Sequence, residues 1–325
     1  MMIHSLTPPP SDAEVDRWLA VLTATAATDL PDLPPPARVE TAGRLCVAPV
    51  RGRPFLWTAD DGAGVAGLLL FSEEANRHTA FLDVLAVRPD ARRRGVGTAL
   101  WERVRRELLA DGRTSVATMV DLGGPGQAFA EAVGFENVLP MAWYVQDVPE
   151  PRTVEVPATP GYTLMTWHGL TPDDRVRALA VAHGAMADAP TGDLDQRNDS
   201  WGAERLHAVQ RLALDRGGEL TTVAAVTDAG EVAAYTVVVL PDPGGPRAVQ
   251  YDTVVVPGHR GHGLGRAVKQ HMLREAAERY PGLRTIATTV ADENIPMRTV
   301  NEALGYRHER DTALFQYKVQ GPPAR

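Results

Sequence analysis

Arg260-Gly261-His262-Gly263-Leu264-Gly265 and its counterpart Arg92-Arg93-Arg94-Gly95-Val96-Gly97 decide how this chain folds. Each follows an apolar run with a proline three residues before its first arginine, as LAVRPDARRRGVG and TVVVPGHRGHGLG show, and each leads into a helical pattern. A glycine-rich turn between a strand and a helix lets backbone N–H groups approach phosphate oxygens, and the positive end of the helix dipole faces the same place. One such match is weak evidence. Two in the same context predict a duplicated unit with a phosphate cradle in each copy. The cradles span Arg93, Arg94, Gly95, Val96, Gly97 and Thr98 in the first copy, and Arg260, Gly261, His262, Gly263, Leu264, Gly265 and Arg266 in the second.

The chain has 325 residues, enough for two domains of ordinary size. A net charge of −8 with well-mixed signs argues against a nucleic-acid partner, which needs a basic stripe. The single Cys46 leaves no internal disulfide framework and no paired-cysteine metal site, and His168, His207 and His271 lack metal-ligand spacing. No metal is expected. The amino terminus MMIHSLTPPPSD has neither a basic region nor a long apolar stretch, and apolar runs such as Val65 to Phe71 are far shorter than a membrane helix requires. A cytoplasmic protein with no membrane span is expected.

The proline-rich segment VPEPRTVEVPATPG divides the chain near its midpoint. The expected organisation is therefore a first domain over 1–147, a linker over 148–161 and a second domain over 162–325. In the second, Tyr162 to Trp167 reads as a strand, followed by a helix capped by Thr171 with Pro172 at its first position and running to about Met186. Trp201 to Leu214 reads as a second helix, and a hairpin turns at Asp228 to Glu231 between Leu220–Thr227 and Val232–Leu240. A strand over Ala248–Val256, a helix to about Arg279, a strand from Thr285, a helix over Pro296–Leu304 and two strands between Tyr306 and Lys318 complete it. The first half repeats the order, opening with a strand over Met2–Leu6 and a helix from the capping box Ser11-Asp12-Ala13-Glu14. Each half predicts a mixed, mostly antiparallel α/β sheet flanked by helices, with the ligand loop at a strand-to-helix junction.

With both loops in this place, the chain resembles the GNAT superfamily of N-acetyltransferases over nearly its whole length. It is similar to the tandem, two-domain branch common in actinobacteria, which includes the mycothiol synthases. The resemblance implies two GNAT-like domains, acetyl-CoA (CoA) as cofactor and its pyrophosphate on the cradles. It also implies that the strand before each loop, Leu85, Ala86 and Val87 or Thr253, Val254 and Val255, splays from its neighbour and pairs with the pantetheine arm as an added strand would. Many relatives carry an asparagine that contacts the cofactor, followed seven residues later by a tyrosine that protonates the departing thiolate. Here Asn294 fits the first position and Asn301 stands at the second, whereas the first half has Gly123 and Ala130. The second domain is thus the expected catalytic one.

Transfer to an amine needs a neutral nucleophile, a donor to the developing oxyanion and a route for protonating the thiolate. Asp252 and Tyr251, at the entrance of the cofactor strand, are the catalytic candidates, with Asp83 near the matching place in the first half. An acid at a strand end is ordinarily a solvated edge, and both readings stay open. An amide cannot deliver a proton, so Tyr251, Tyr235, Tyr306 or a water must replace the missing tyrosine, unless the thiolate leaves unassisted. The acidic, small-residue stretch from His183 to Asp195, with Trp201 after it, suits a cationic acceptor. Met186, Asp188 and Trp201 are the candidate substrate contacts. The expected partner is a small-molecule amine, with the protein a monomer or homodimer. A non-catalytic acyl-CoA sensor or partner-binding protein, and an acetyltransferase of protein amino termini or lysines, are the alternatives.

Overall fold

The computed structural model describes residues 1–198 and 201–319. Twelve strands and eight α-helices are found among them. In chain order these are β1 (Ile3–Leu6), α1 (Asp12–Asp29), α2 (Arg38–Cys46), β2 (Gly52–Ala59), β3 (Gly64–Phe71), β4 (Thr79–Val87), α3 (Val96–Ala110), β5 (Ser115–Asp121), α4 (Pro125–Ala132) and β6 (Glu136–Asp147). They continue with β7 (Tyr162–His168), α5 (Val176–His183), α6 (Ala203–Asp215), β8 (Glu219–Thr227), β9 (Val232–Leu240), β10 (Arg247–Val255), α7 (Leu264–Arg279), β11 (Thr285–Ala291), α8 (Ile295–Ala303) and β12 (Arg307–Lys318).

The chain divides into two compact units, and they are not the contiguous domains that composition suggests. Unit 1 holds Met1–Met141, Thr191–Arg197 and the chain from Asp311 onward; unit 2 holds Ala142–Pro190 and Asn198–Arg310. Each half of the chain thus lends its last strand to the other unit's sheet. Unit 1 runs β1-β2-β3-β4-β5-β12, with Thr312–Lys318 antiparallel to Ser115–Asp121. Unit 2 runs β7-β8-β9-β10-β11-β6, with β6 beside β11 from Ala142. The segment 148–161 is no free linker: the Val148 N–H donates to the Arg284 carbonyl, and Val148 and Val154 pack on the core of unit 2. Which sheet a terminal strand joins is settled by long-range pairing, which local composition does not report.

In unit 1, α3 lays Val96, Leu100, Trp101, Val104 and Leu108 on Trp57, Leu68, Leu70 and Phe315. α1 covers the other end through Val15, Trp18 and Val21, its entry fixed by the Glu14 carboxylate accepting from the Ser11 N–H and hydroxyl. In unit 2, α7 packs Leu264, Val268, Met272 and Ala276 on Val223, Ala234, Val238 and Ala248, and α5 and α6 cover the far side around Trp167, Leu179 and Leu206.

Three local expectations are corrected. Thr171 does not cap α5, because Gln210 accepts from its N–H (3.0 Å) and donates to its hydroxyl (2.8 Å), so the helix begins only at Val176. It ends at His183, and Gly184–Asp188 form a 3₁₀ turn. The two strands expected after Tyr306 are one, β12.

Candidate active site

The sheet of each unit opens at the same place. β4 and β5 run parallel and pair only over Thr79–Phe81 with Ser115–Ala117; β10 and β11 pair only over Arg247–Val249 with Thr285–Ala287. Beyond Phe81 and Val249 the parallel ladders stop, so Leu85–Val87 and Thr253–Val255 turn one backbone edge into a crevice. A bulge falls at the mouth of each. On β4 it lies at Asp83, between the pairs Leu82–Leu68 and Val84–Gly67; on β10 it lies at Tyr251 and Asp252, between Gln250–Val238 and Thr253–Thr236. An extra residue on one strand re-aims the side chains beside it.

The loops follow directly. Gly95 (φ 82) and Gly263 (φ 72) are left-handed N-cap residues of α3 and α7, and an added Cβ on either would meet nothing within 4 Å. The N–H groups of each first helical turn, from Val96, Gly97 and Thr98 or Leu264, Gly265 and Arg266, have no intrahelical acceptor. Val96 and Leu264 are buried and pin the turn to the core. The position two residues before the N-cap is also left-handed in both: Gly261 (φ 84) in unit 2, and Arg93 (φ 60) in unit 1, where a side chain bears the strain. Arg94 is exposed beside it. Arg92 and Arg260 brace the loops from behind, donating to the Val87 and Val255 carbonyls. Each is held by a carboxylate: Arg92 by Asp29 (2.6 and 2.8 Å), Arg260 by Asp188 (2.6 Å). Asp188, expected to contact a substrate, is tied to the loop by this pair. His262 is exposed, its Nδ1 within 3.2 Å of the His259 carbonyl and 3.1 Å of the Arg260 carbonyl, while Tyr162 bonds His259 at 3.0 Å.

Beside the bulge of β10, unit 2 gathers polar groups that the protein itself does not satisfy. The Asp252 carboxylate lies 4.0 Å from Nε2 of His183. His183, at the end of α5, is 5% exposed, and neither ring nitrogen has a hydrogen-bond partner among the described residues. Its ring centre lies 4.3 Å from that of Trp201, with the two planes tilted by 39°. The Tyr235 hydroxyl, on β9, is likewise buried and has no partner at hydrogen-bond distance among the described residues, although it lies near enough to Asp252 for each to shift the other's titration. Burial pushes the Asp252 carboxyl above its ordinary value, against the opposing pull of His183 and Tyr235. Burial, then the charge of Asp252, holds the Tyr235 phenol well above its own. Met186 borders the same apolar cluster as Trp201. Tyr251, the other catalytic candidate, is 55% exposed. Asp193 and Asp195 belong to unit 1, where Asp195 pairs with Lys318 at 2.6 Å.

Asn294 and Asn301 play parts that spacing alone does not suggest. The Asn294 side-chain oxygen caps α8, accepting from the Met297 N–H at 3.3 Å. Asn301 is wholly buried and accepts from Nζ of Lys269 at 2.7 Å, which leaves its Nδ2 unbonded. Lys269 is itself buried on α7, with no carboxylate partner among the described residues, and its ammonium lies 4.5 Å from the centre of the Tyr306 ring. Burial pulls it down to about 7. Tyr306 is a core residue whose hydroxyl donates to Gln250 at 2.5 Å, and Gln250 donates on to Thr236.

The sequence profile of the acetyltransferase (GNAT) family matches residues 24–135 and 188–306. The chain belongs to that family. It is 32% identical over 273 residues to a mycothiol acetyltransferase of Geodermatophilus obscurus, covering 82% of each chain. The structure of a tandem GNAT protein from the clavulanic acid biosynthesis pathway superposes with a TM-score of 0.82 at 28% identity, over 99% of this chain and 100% of that one. A GCN5-related N-acetyltransferase from Sphaerobacter thermophilus shares the fold, with a TM-score of 0.69 at 16% identity over 98% of this chain and 96% of the other. Among the described residues no helix is long and apolar enough to cross a membrane, and no cluster of three or more His, Cys, Asp or Glu side chains could hold a metal ion.

His183 and Lys269 are the residues that sequence reasoning missed. Neither lies in a motif. The available signal for His183 was a lone imidazole in the last turn of a helix expected to cover the acceptor; for Lys269 it was a lysine on the apolar stripe of α7.

Proposed function

We propose that this GNAT protein transfers an acetyl group from acetyl-CoA to the amine of a small molecule, and that unit 2 carries the chemistry. The observation behind this reading is the pair of unsatisfied buried side chains, Tyr235 and His183, that meet the Asp252 carboxylate at the mouth of the crevice beside Gly261–Arg266. Burying polar groups without partners costs about 1–3 kcal/mol each, a cost that a bound ligand removes. The names of the mycothiol acetyltransferase relative and of the tandem protein solved without AcCoA point the same way.

The residues fit the cofactor. The left-handed pair Gly261 and Gly263, the first-turn N–H groups of α7 and the open space above both glycines suit a pyrophosphate, and the free edge of Thr253–Val255 suits an amide-bearing arm. Asn294, with its oxygen committed to the helix, would offer only its Nδ2. Asn301, bonded to Lys269 and fully buried, takes a supporting place rather than a contacting one. When bound, acetyl-CoA supplies an activated thioester. Asp252, its carboxyl raised by burial, faces the incoming ammonium, and Tyr235, which stays protonated, donates from the opposite strand. The Cys46 thiol, unpaired and exposed, suits a reducing cytoplasm.

In unit 1 the cradle around Gly95 suits the same pyrophosphate, with Leu85–Val87 as its strand, yet the catalytic positions are apolar. We assign that unit a cofactor-binding or structural part. A thiol-release assay with acetyl-CoA and a panel of small amines tests the reading: turnover with at least one amine, lost in Asp252→Asn, is expected. Tight CoA binding with no turnover on any amine would replace it by a sensor.

A further inference from the structure

The gap between His183 and Asp252 has a size that the protein leaves unexplained. At 4.0 Å, Nε2 and Oδ2 are too far apart to hydrogen-bond and too close to admit a group larger than one atom between them. An atom about 2.9 Å from each end would subtend an angle of about 90° at that atom, about 20° below the tetrahedral angle of an ammonium, a difference that two hydrogen bonds each bent by about 10° absorb. Both imidazole nitrogens lack partners although the ring is 95% buried, the Trp201 ring closes one face at 4.3 Å, and the unbonded Tyr235 hydroxyl stands on the adjoining strand. Orphaned buried polar atoms on two secondary elements, converging with a carboxylate on a third, make a built site.

We infer that His183 and Asp252 together form the seat of the acceptor amine, a bridging site selective for an ammonium with at least two N–H bonds. The inference rests on the acetyl-transfer reading for its consequence but not for its geometry. One N–H bond points at Nε2 of His183 in its neutral form, the other at Oδ2 of Asp252. The proton shared with His183 passes to Nε2; the electrons of that N–H bond stay on the nitrogen as its lone pair, and charge is conserved as imidazolium replaces ammonium. The Asp252 carboxylate 4.0 Å away steadies that imidazolium. His183 is on this account a catalytic residue. Tertiary and quaternary amines, lacking the second N–H bond, do not bridge the gap even though Trp201 could attract their charge.

The full-length protein labelled at histidine Cε1 tests the site by NMR, with His183→Gln and His183→Asn each assigning the resonance. n-Butylamine should shift the His183 signal and butyltrimethylammonium should not, and the shift should vanish in Asp252→Asn. Equal shifts with both amines would overturn the bridge in favour of simple charge attraction, and no shift with butylamine at saturating concentration would overturn the site. In the thiol-release assay His183→Gln should lower kcat/KM for the amine on the order of 10²-fold while leaving CoA affinity unchanged; equal turnover would remove His183 from the chemistry. A protein that shifts with butylamine yet acetylates no amine keeps the site and loses the acetyl-transfer reading.

Discussion

The two units build one scaffold and fill it oppositely. Strand pairing equates Val254 and its partner Tyr235 in unit 2 with Ala86 and its partner Val65 in unit 1, and Thr253 and Thr236 with Leu85 and Ala66. Asp252, one residue earlier, corresponds to Val84. Every polar group of the unit 2 cluster on these strands is therefore replaced in unit 1 by an aliphatic one, and Val65 and Ala86 lie in a continuous apolar cluster with Trp18 and Leu45. Both units keep the splayed strands, the bulge, the left-handed N-cap glycine and the braced arginine. An apolar core is the cheaper filling. Among the described residues, the unsatisfied polar groups at these strand positions occur in unit 2 alone, which is why the proposal gives the chemistry to that unit.

The largest effect should come from Asp252→Asn and Tyr235→Phe, each lowering kcat/KM by about 10²–10⁴-fold. Val84→Ala and Val65→Ala, at the matching places of unit 1, should change turnover by only a few-fold while costing stability. Comparable losses from both pairs, read by steady-state kinetics, would break the contrast.

Lys269 sharpens it through pH. Its ammonium is pulled down to about 7 in the folded protein, so between pH 7 and about 10.4 the unfolded chain binds the additional proton. Stability from this group therefore rises with pH across that window and is lost as pH falls to 7, by at most about 1.4 kcal/mol per pH unit. Chemical denaturation of wild type and Lys269→Met at pH 7, 8 and 9 should show the variant gaining less with pH. Parallel slopes would mean that Lys269 stays protonated and hydrated in the folded protein across this range. The smallest effect is expected at Arg93. Replacing this left-handed residue by glycine, as at Gly261, should raise unit 1 stability by about 1 kcal/mol through relief of strain, whereas Gly261→Arg should lower that of unit 2. Thermal melts read both.

Much of this was legible in the sequence, and the boundary follows physical range. The left-handed glycine turns before α3 and α7, the capping box at Ser11 and the hairpin at Asp228–Glu231 depend on neighbours a few residues apart, and the expected elements lie within a few residues of those found. Thr171 failed as a cap because Gln210, 39 residues on, takes both its polar groups. The interleaved last strands depend on pairing between Thr312 and Asp121, across most of the chain. Asp188 and Asp252 carried the same acidic signal, yet one is bound to Arg260 and the other faces His183. Charge is visible in a sequence; the partner that consumes it is not.

The claim that unit 2 works while unit 1 keeps only the cradle is tested most directly by a matched pair of variants. Gly263→Asp and Gly95→Asp each place a carboxylate where the loop meets open space, at a backbone conformation that glycine favours. With thiol release and CoA titration calorimetry measured on both, the account predicts that Gly263→Asp abolishes acetyl transfer and that Gly95→Asp leaves it within a few-fold of wild type. Turnover surviving in Gly263→Asp but lost in Gly95→Asp would contradict it.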